Sequence, residues 1–172
     1  MTDARSYRAE ETLRNGLAVC IRALRPDDGE RMAEAFSKLD PDSVYTRFFS
    51  YKKEVTEEDF QLIREMDFDL RVALIATVMV DGREVVIASS SFSVFGQDEA
   101  EVAFIVEEDY HGLGIARHLL MHLGKIAREL RAAAIGRRDL RAARRRGVAG
   151  AGLGEDLQAV GRAGVDVAGA VH

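Results

Sequence analysis

Apolar residues recur at every second position in some stretches of this chain and at every third or fourth in others, and the switches between the two periods outline its elements. Residues 17–24 alternate enough for a first strand, which Pro26 ends. Asp27 or Asp28 can cap the helix that follows, which runs to about residue 39 with Met32, Phe36 and Leu39 on one face. Pro41, Asp42 and Ser43 mark a turn. Thr56, followed by Glu57, Glu58 and Asp59, reads as an N-cap with acids in the first turn, and Phe60, Ile63 and Met66 supply the apolar stripe of a second helix. Residues 72–80 and 84–95 are rich in β-branched side chains, and the Asp81-Gly82 pair between them is a hairpin signal. A turn at residues 96–99 leads to a strand at 100–106. A last helix aligns Ile115, Leu119, Leu123, Ile126 and Leu130 along one face. The order is β-α-α-β-β-β-α, which makes the fold class α/β (α+β).

Two segments depart from this pattern. Residues 1–15 read as a loose polar lead. From Arg131 onward there is no aromatic residue, Lys or Pro, and Ala, Gly and Arg make up 27 of the last 42 residues. The expected organisation is a flexible lead at 1–15, a core at 16–130 and an atypical segment at 131–172. Weak strands fit residues 157–160 and 165–171, but folding them would bury little apolar area. Three origins suit the segment: a basic appendage that binds anions or nucleic acid, a divergent folded end, or text from a shifted reading frame. The abruptness of the change favours the last.

Composition narrows the class. A chain of 172 residues suits one domain, and its 47% hydrophobic content is ordinary for a globular protein. No apolar run approaches the roughly 18 residues of a membrane span, and the charged N-terminus has no secretory apolar region. Cys20 is the sole cysteine, which excludes an internal disulfide and suits a reducing cytoplasm; it reads as a small buried apolar residue rather than a nucleophile. His118 and His122 lie four apart on one helix without the intervening Glu of a zinc-protease motif, so they read as helix surface or partial core and no metal is expected. The net charge of −5 is uneven: residues 131–172 carry eight Arg against four acids, +4, which leaves −9 on the rest. An acidic body can steer a cationic amine, or simply be solvated.

The chemistry centres on residues 102–120. An apolar strand ends at Val106, a short turn follows, and His111, Gly112, Leu113, Gly114, Ile115, Ala116 and Arg117 lead into the helix. Glycines at a helix start leave backbone N–H groups open to a ligand phosphate, aided by the helix dipole. A Rossmann fingerprint needs a third small residue where Arg117 stands, and a P-loop needs Gly-Lys-Ser/Thr, which is absent.

This segment resembles the acyl-CoA pyrophosphate loop of the GNAT N-acetyltransferase superfamily, whose pattern is Gln/Arg-x-x-Gly-x-Gly/Ala. His111 takes the place of the usual Gln or Arg, a change compatible with a loop that works through its backbone. Ile21, Arg22, Pro26, Asp27 and Asp28 resemble the family's first strand and helix start. Asp42, Tyr45, Arg47, Phe48 and Phe49 resemble a segment of the GNAT domains of bacterial protein lysine acetyltransferases. The similarity covers roughly residues 16–130. It implies a mixed, mainly antiparallel sheet flanked by helices, and acetyl transfer from acetyl-CoA to an amine, either a protein lysine or a small amine. It implies pyrophosphate binding by residues 111–117, pantetheine and oxyanion contacts from the main chain of Phe104, Ile105 and Val106, and Glu101 as the base. A glutamate on an apolar strand has a raised pKa if desolvated, whereas a place at the strand's start beside Asp98 and Glu99 leaves it exposed. Tyr45 and Arg47 either line the acceptor side or anchor a packed loop. The family's Asn after its fifth strand and its leaving-group Tyr have no counterpart beyond Tyr110. An acyl-CoA-binding regulatory module is the alternative. No nucleic-acid or membrane partner is expected, and a homodimer is compatible.

Overall fold

The computed structural model describes residues 3–39, 55–95 and 99–146, with backbone alone for residues 95, 99 and 132–146. The turn at residue 41, the segment around Tyr45 and Arg47 and the weak strands after residue 156 lie outside the described residues. Five strands form one sheet in chain order: β1 (Arg8–Thr12), β2 (Ala18–Ala23), β3 (Arg71–Val80), β4 (Arg83–Phe95) and β5 (Glu99–Val106). Three helices accompany them: α1 (Gly29–Ser37), α2 (Glu57–Arg64) and α3 (Ile115–Arg146). Every pairing among the described residues is antiparallel, so the mixed character expected of the sheet is not seen there.

The local signals translate directly. Asp81 and Gly82 take positive φ of 49° and 75°, the backbone of a type I′ turn, and Val80 faces Arg83 across it. Thr56 Oγ1 accepts from Asp59 N while Thr56 N donates to the Asp59 carboxylate, closing the capping box of α2. Ile115, Leu119, Leu123 and Ile126 are buried against the sheet and Leu130 packs beside them.

Two expectations are corrected. The lead is not loose: residues 4–6 form a 3-10 turn, Arg8–Thr12 pairs along β2, and Ala4 and Tyr7 lie in the main core. Arg5 ties the segment further by donating to the Asp67 carbonyl at 2.9 Å. An edge strand with polar side chains carries little periodic signal, so β1 escapes a hydrophobic pattern. The last helix also runs past the core boundary expected at residue 130. Its backbone continues to Arg146, 32 residues or about 48 Å, through a stretch rich in the strong helix formers Ala and Arg. No helix among the described residues is long and apolar enough to cross a membrane.

The sheet buries both faces. Val19, Ile21, Leu74, Ile87 and Phe92 join α3 in one core; Leu24, Ile63, Ala73, Ile75 and Val86 form a second beneath α1 and α2. A bulge inserts Ile87, because Ala76 faces Ala88 while Thr77 faces Val86. It places Ile87 and Ala88, neighbours in sequence, in the same core. Past the bulge the alternation is inverted, and the odd-numbered Ser89 and Ser91 face the α1–α2 side.

Charge is also buried. Arg22 (1% exposed) grips Asp28 (0%) with two bonds of 2.7 and 2.8 Å and reaches Glu84 at 2.7 Å. Asp28 does not cap α1 with its side chain; its carboxylate accepts from Arg25 N at 2.7 Å and from Arg31 at 3.2 Å. Burial opposes both charges, but the mutual hydrogen bonds prevail, holding the guanidinium above and the Asp28 carboxyl below its ordinary value. Asp28→Asn leaves the buried Arg22 with Glu84 as its remaining counter-charge and is expected to cost up to about 3–5 kcal/mol in urea melts at neutral pH. A depressed carboxyl stabilises fully above its unfolded pKa, so the difference from wild type should hold at neutral pH, begin to shrink as pH falls through the ordinary Asp range and be lost once pH passes the depressed value.

Candidate functional site

The glycine loop sits between the end of β5 and the start of α3. Gly112 and Gly114 have φ of 75° and 87°, conformations that side chains disfavour. The Gly114 carbonyl accepts from His118 N, so the N–H groups at the helix start have no intrahelical partner. Arg14, in the β1–β2 turn, backs this loop. Its N–H donates to the Leu113 carbonyl at 3.3 Å and its guanidinium to the Gly112 carbonyl at 3.5 Å. In a trans peptide the C=O and the next N–H point opposite ways, so Arg14 turns the N–H groups of Leu113 and Gly114 away from itself. Arg117 is exposed in the first turn of α3, at the positive end of the dipole. Ile115 is buried and anchors the helix. Ala116 lies beside it, partly buried. His111 is exposed, and its Nε2 meets the Val106 carbonyl at 2.8 Å. A carbonyl only accepts, so this nitrogen carries the proton and the imidazole ties the loop back to the strand.

Along β5, Glu107 N donates to the Ile87 carbonyl at 2.9 Å. Antiparallel alternation then turns the main chain of Ile105 towards β4 and that of Phe104 and Val106 to the outer edge, which has no partner among the described residues. Of the three residues expected to present main-chain groups, Phe104 and Val106 do so, while Ile105 contributes its side chain to a cavity.

That cavity, about 230 Å³, lies between the sheet and α1–α2. Its walls are apolar, with Met32, Phe36, Ile63, Ile75 and Ile105, and its polar groups include Ser89, Ser91, Asp59 and Glu107. Burial pushes the Glu107 carboxyl above its ordinary value; Lys38 opposes this, and Asp109, Glu108 and Glu34 add to it. Glu101 shares the cavity-side face of β5, opposite Ser93, but is exposed and about 13 Å up the strand from Ile105. It does not line the cavity.

Several residues escape sequence reading. Arg14 sits in what reads as a loose lead, and Glu107 is one of three consecutive acidic residues, a pattern usual for a solvated turn. His118 and His122 stand out by spacing, but their partner does not: Glu11 of β1 reaches both rings. Cys20, in β2, is partly buried, and burial raises its thiol pKa, the opposite of nucleophile activation.

Gly114→Val forces the loop out of its φ of 87°; in calorimetric titrations with acetyl-CoA, the ligand that the family resemblance implies, it is expected to weaken binding about five- to hundredfold, with the circular dichroism spectrum retained. Arg14→Ala, which removes only the side-chain bond, should cost about fivefold.

The comparisons with known proteins agree with this architecture. An acetyltransferase of Pseudomonas aeruginosa is 30% identical over 119 residues, covering 69% of this chain and 64% of the relative, so the chain spans just under two thirds of that protein's length. The crystal structure of the GNAT domain of S. lividans PAT matches with a TM-score of 0.65 and 32% identity, over 72% of this chain and 73% of that one. A GNAT-family acetyltransferase structure from Streptococcus pneumoniae shares the fold alone, at a TM-score of 0.51 and 16% identity over 65% and 68% of the two chains. The model of the acetyltransferase (GNAT) family matches residues 38–147, and with these relatives it establishes that the chain belongs to that family.

Proposed function

We propose that this chain transfers an acetyl group from acetyl-CoA to a primary amine, with a protein lysine as the favoured acceptor. The observation that carries the reading is Glu107, a carboxylate of raised pKa in an apolar cavity, placed immediately before a loop of open main-chain N–H groups. The loop suits the pyrophosphate, and the free N–H groups of Phe104 and Val106 suit the pantetheine arm and the thioester oxygen, where charge develops as the amine attacks. An apolar cavity with one carboxylate fits a lysine, whose stem is four methylenes and whose amine must lose a proton before it attacks. Glu107 is the base favoured on geometry. Glu101, on the same face, is the base that the family resemblance favours.

The helical backbone of residues 131–146 occupies chain that the family pattern assigns to a fifth strand, and this favours a second reading: an acyl-CoA-binding module without turnover. Steady-state thiol-release assays with acetyl-CoA and lysine peptides separate the two. A base with raised pKa works only when deprotonated, so kcat should fall as pH drops through a value above the ordinary carboxylate range. Glu107→Gln is expected to lower kcat about a hundredfold or more, leave acetyl-CoA affinity intact and abolish that acid limb. If Glu101→Gln produces this result and Glu107→Gln does not, the base is Glu101. Binding without turnover in the wild type establishes the second reading.

A further inference from the structure

We propose that Glu11, His118 and His122 form a divalent transition-metal site, with zinc the best-suited ion, that ties the edge strand β1 to α3. The two histidines lie one turn apart on α3 and project toward the same carboxylate. Glu11 Oε1 is 2.8 Å from His122 Nε2, and Glu11 Oε2 is 3.3 Å from His118 Nδ1. One ligand atom from each residue falls within 4.8 Å of the others. Tetrahedral zinc with these donors holds them roughly 3.3 Å apart, so small side-chain adjustments close the site.

Two further features point to a ligand. His118 Nδ1 is shut off from water and has no hydrogen-bond partner, because its 3.3 Å approach to Glu11 lacks hydrogen-bond alignment. A buried nitrogen left in this state is costly unless something occupies its lone pair. On the far side of His122, Nδ1 meets the Tyr7 hydroxyl at 2.5 Å, and the two rings pack edge to face. The Glu11 carboxylate can only accept, so in the metal-free chain His122 Nε2–H donates to it at 2.8 Å; a bound metal would replace that proton, with Nδ1–H then donated to the Tyr7 hydroxyl, the outer-shell arrangement that orients a ligating imidazole. Two imidazoles and one carboxylate suit zinc and its neighbours rather than calcium or magnesium. Three protein ligands leave a fourth position for water.

The site joins Tyr7 and Glu11, on the segment that ends in the Arg14 turn, to the first two turns of α3. Its expected consequence is structural: metal should raise the melting temperature by holding β1 in place. The test is titration of Co²⁺ into the metal-stripped, untagged full chain, followed by visible absorption and by Zn²⁺ displacement. One equivalent should produce the d–d bands of a four- or five-coordinate ion, and Zn²⁺ should abolish them. His118→Asn, which leaves the Tyr7–His122–Glu11 bonds intact, and Glu11→Gln should each weaken binding at least about tenfold and remove the zinc-induced rise in melting temperature. Tyr7→Phe should retain the bands with affinity about ten- to hundredfold lower. A wild-type chain that is folded by circular dichroism yet shows no bands overturns the proposal, as do bands that persist unchanged in His118→Asn and Glu11→Gln.

Discussion

Arg22 and Asp28 hold the working parts of this molecule in mutual register. A guanidinium and a carboxylate, both almost wholly out of water, satisfy each other through two short bonds and share their remaining capacity with Glu84, Arg31 and the main chain of Arg25 and Ala23. These contacts draw together several pieces of the fold. Arg22 is on β2, Asp28 immediately precedes α1, and Glu84 lies at the start of β4 after the hairpin. A buried pair tolerates little displacement, because an unpaired charge in the interior costs several kcal/mol. The start of α1 is therefore pinned over the sheet, and Gly29 permits the approach: a Cβ there would fall 2.4 Å from the Phe60 ring of α2. The wall of the cavity formed by α1 and α2 descends from that arrangement.

The opposite wall depends on a single inserted residue. Were Ile87 paired in regular register instead of bulged, strict alternation would continue from Thr77 and Val86, and Ser89 and Ser91 would turn into the α3 core. The bulge gives the cavity its hydroxyls, and the Ile87 carbonyl meets the N–H of Glu107 where β5 ends. Burial at that junction raises the Glu107 carboxyl, while the chain goes on at once to the glycine loop. A half-buried carboxylate and a glycine loop with open main-chain N–H groups are thus a few residues apart but on different surfaces of β5, the first at the cavity and the second beyond the edge that has no partner among the described residues.

Much of this is visible as local pattern. The Asp81-Gly82 turn, the capping box at Thr56, the apolar stripe of α3 and the glycines at its start are short-range devices whose physics involves neighbours within a few residues. For that reason they transfer from text to structure nearly unchanged. The parts that do not transfer involve distant partners. β1 has a polar sequence and becomes a strand because the edge of β2 receives it. Glu101 and Glu107 are both glutamates of one strand and its end, and the cavity under α1 and α2 separates an exposed carboxylate from a half-buried one. The continuation of α3 past Leu130 expresses the helix preference of Ala and Arg over the strand that the family pattern leads one to expect there.

By itself the sequence determined the order of elements, the hairpin, the glycine loop at the start of α3 and the family likeness, because each rests on periodicity, dihedral preference or a contiguous motif. The tertiary structure alone decided which carboxylate enters the cavity, that Arg14 orients the loop carbonyls and that Glu11 meets His118 and His122. Those juxtapositions join residues about a hundred positions apart, or depend on burial by other elements. Burial and long-range contact are properties of the folded chain, and no local pattern encodes them.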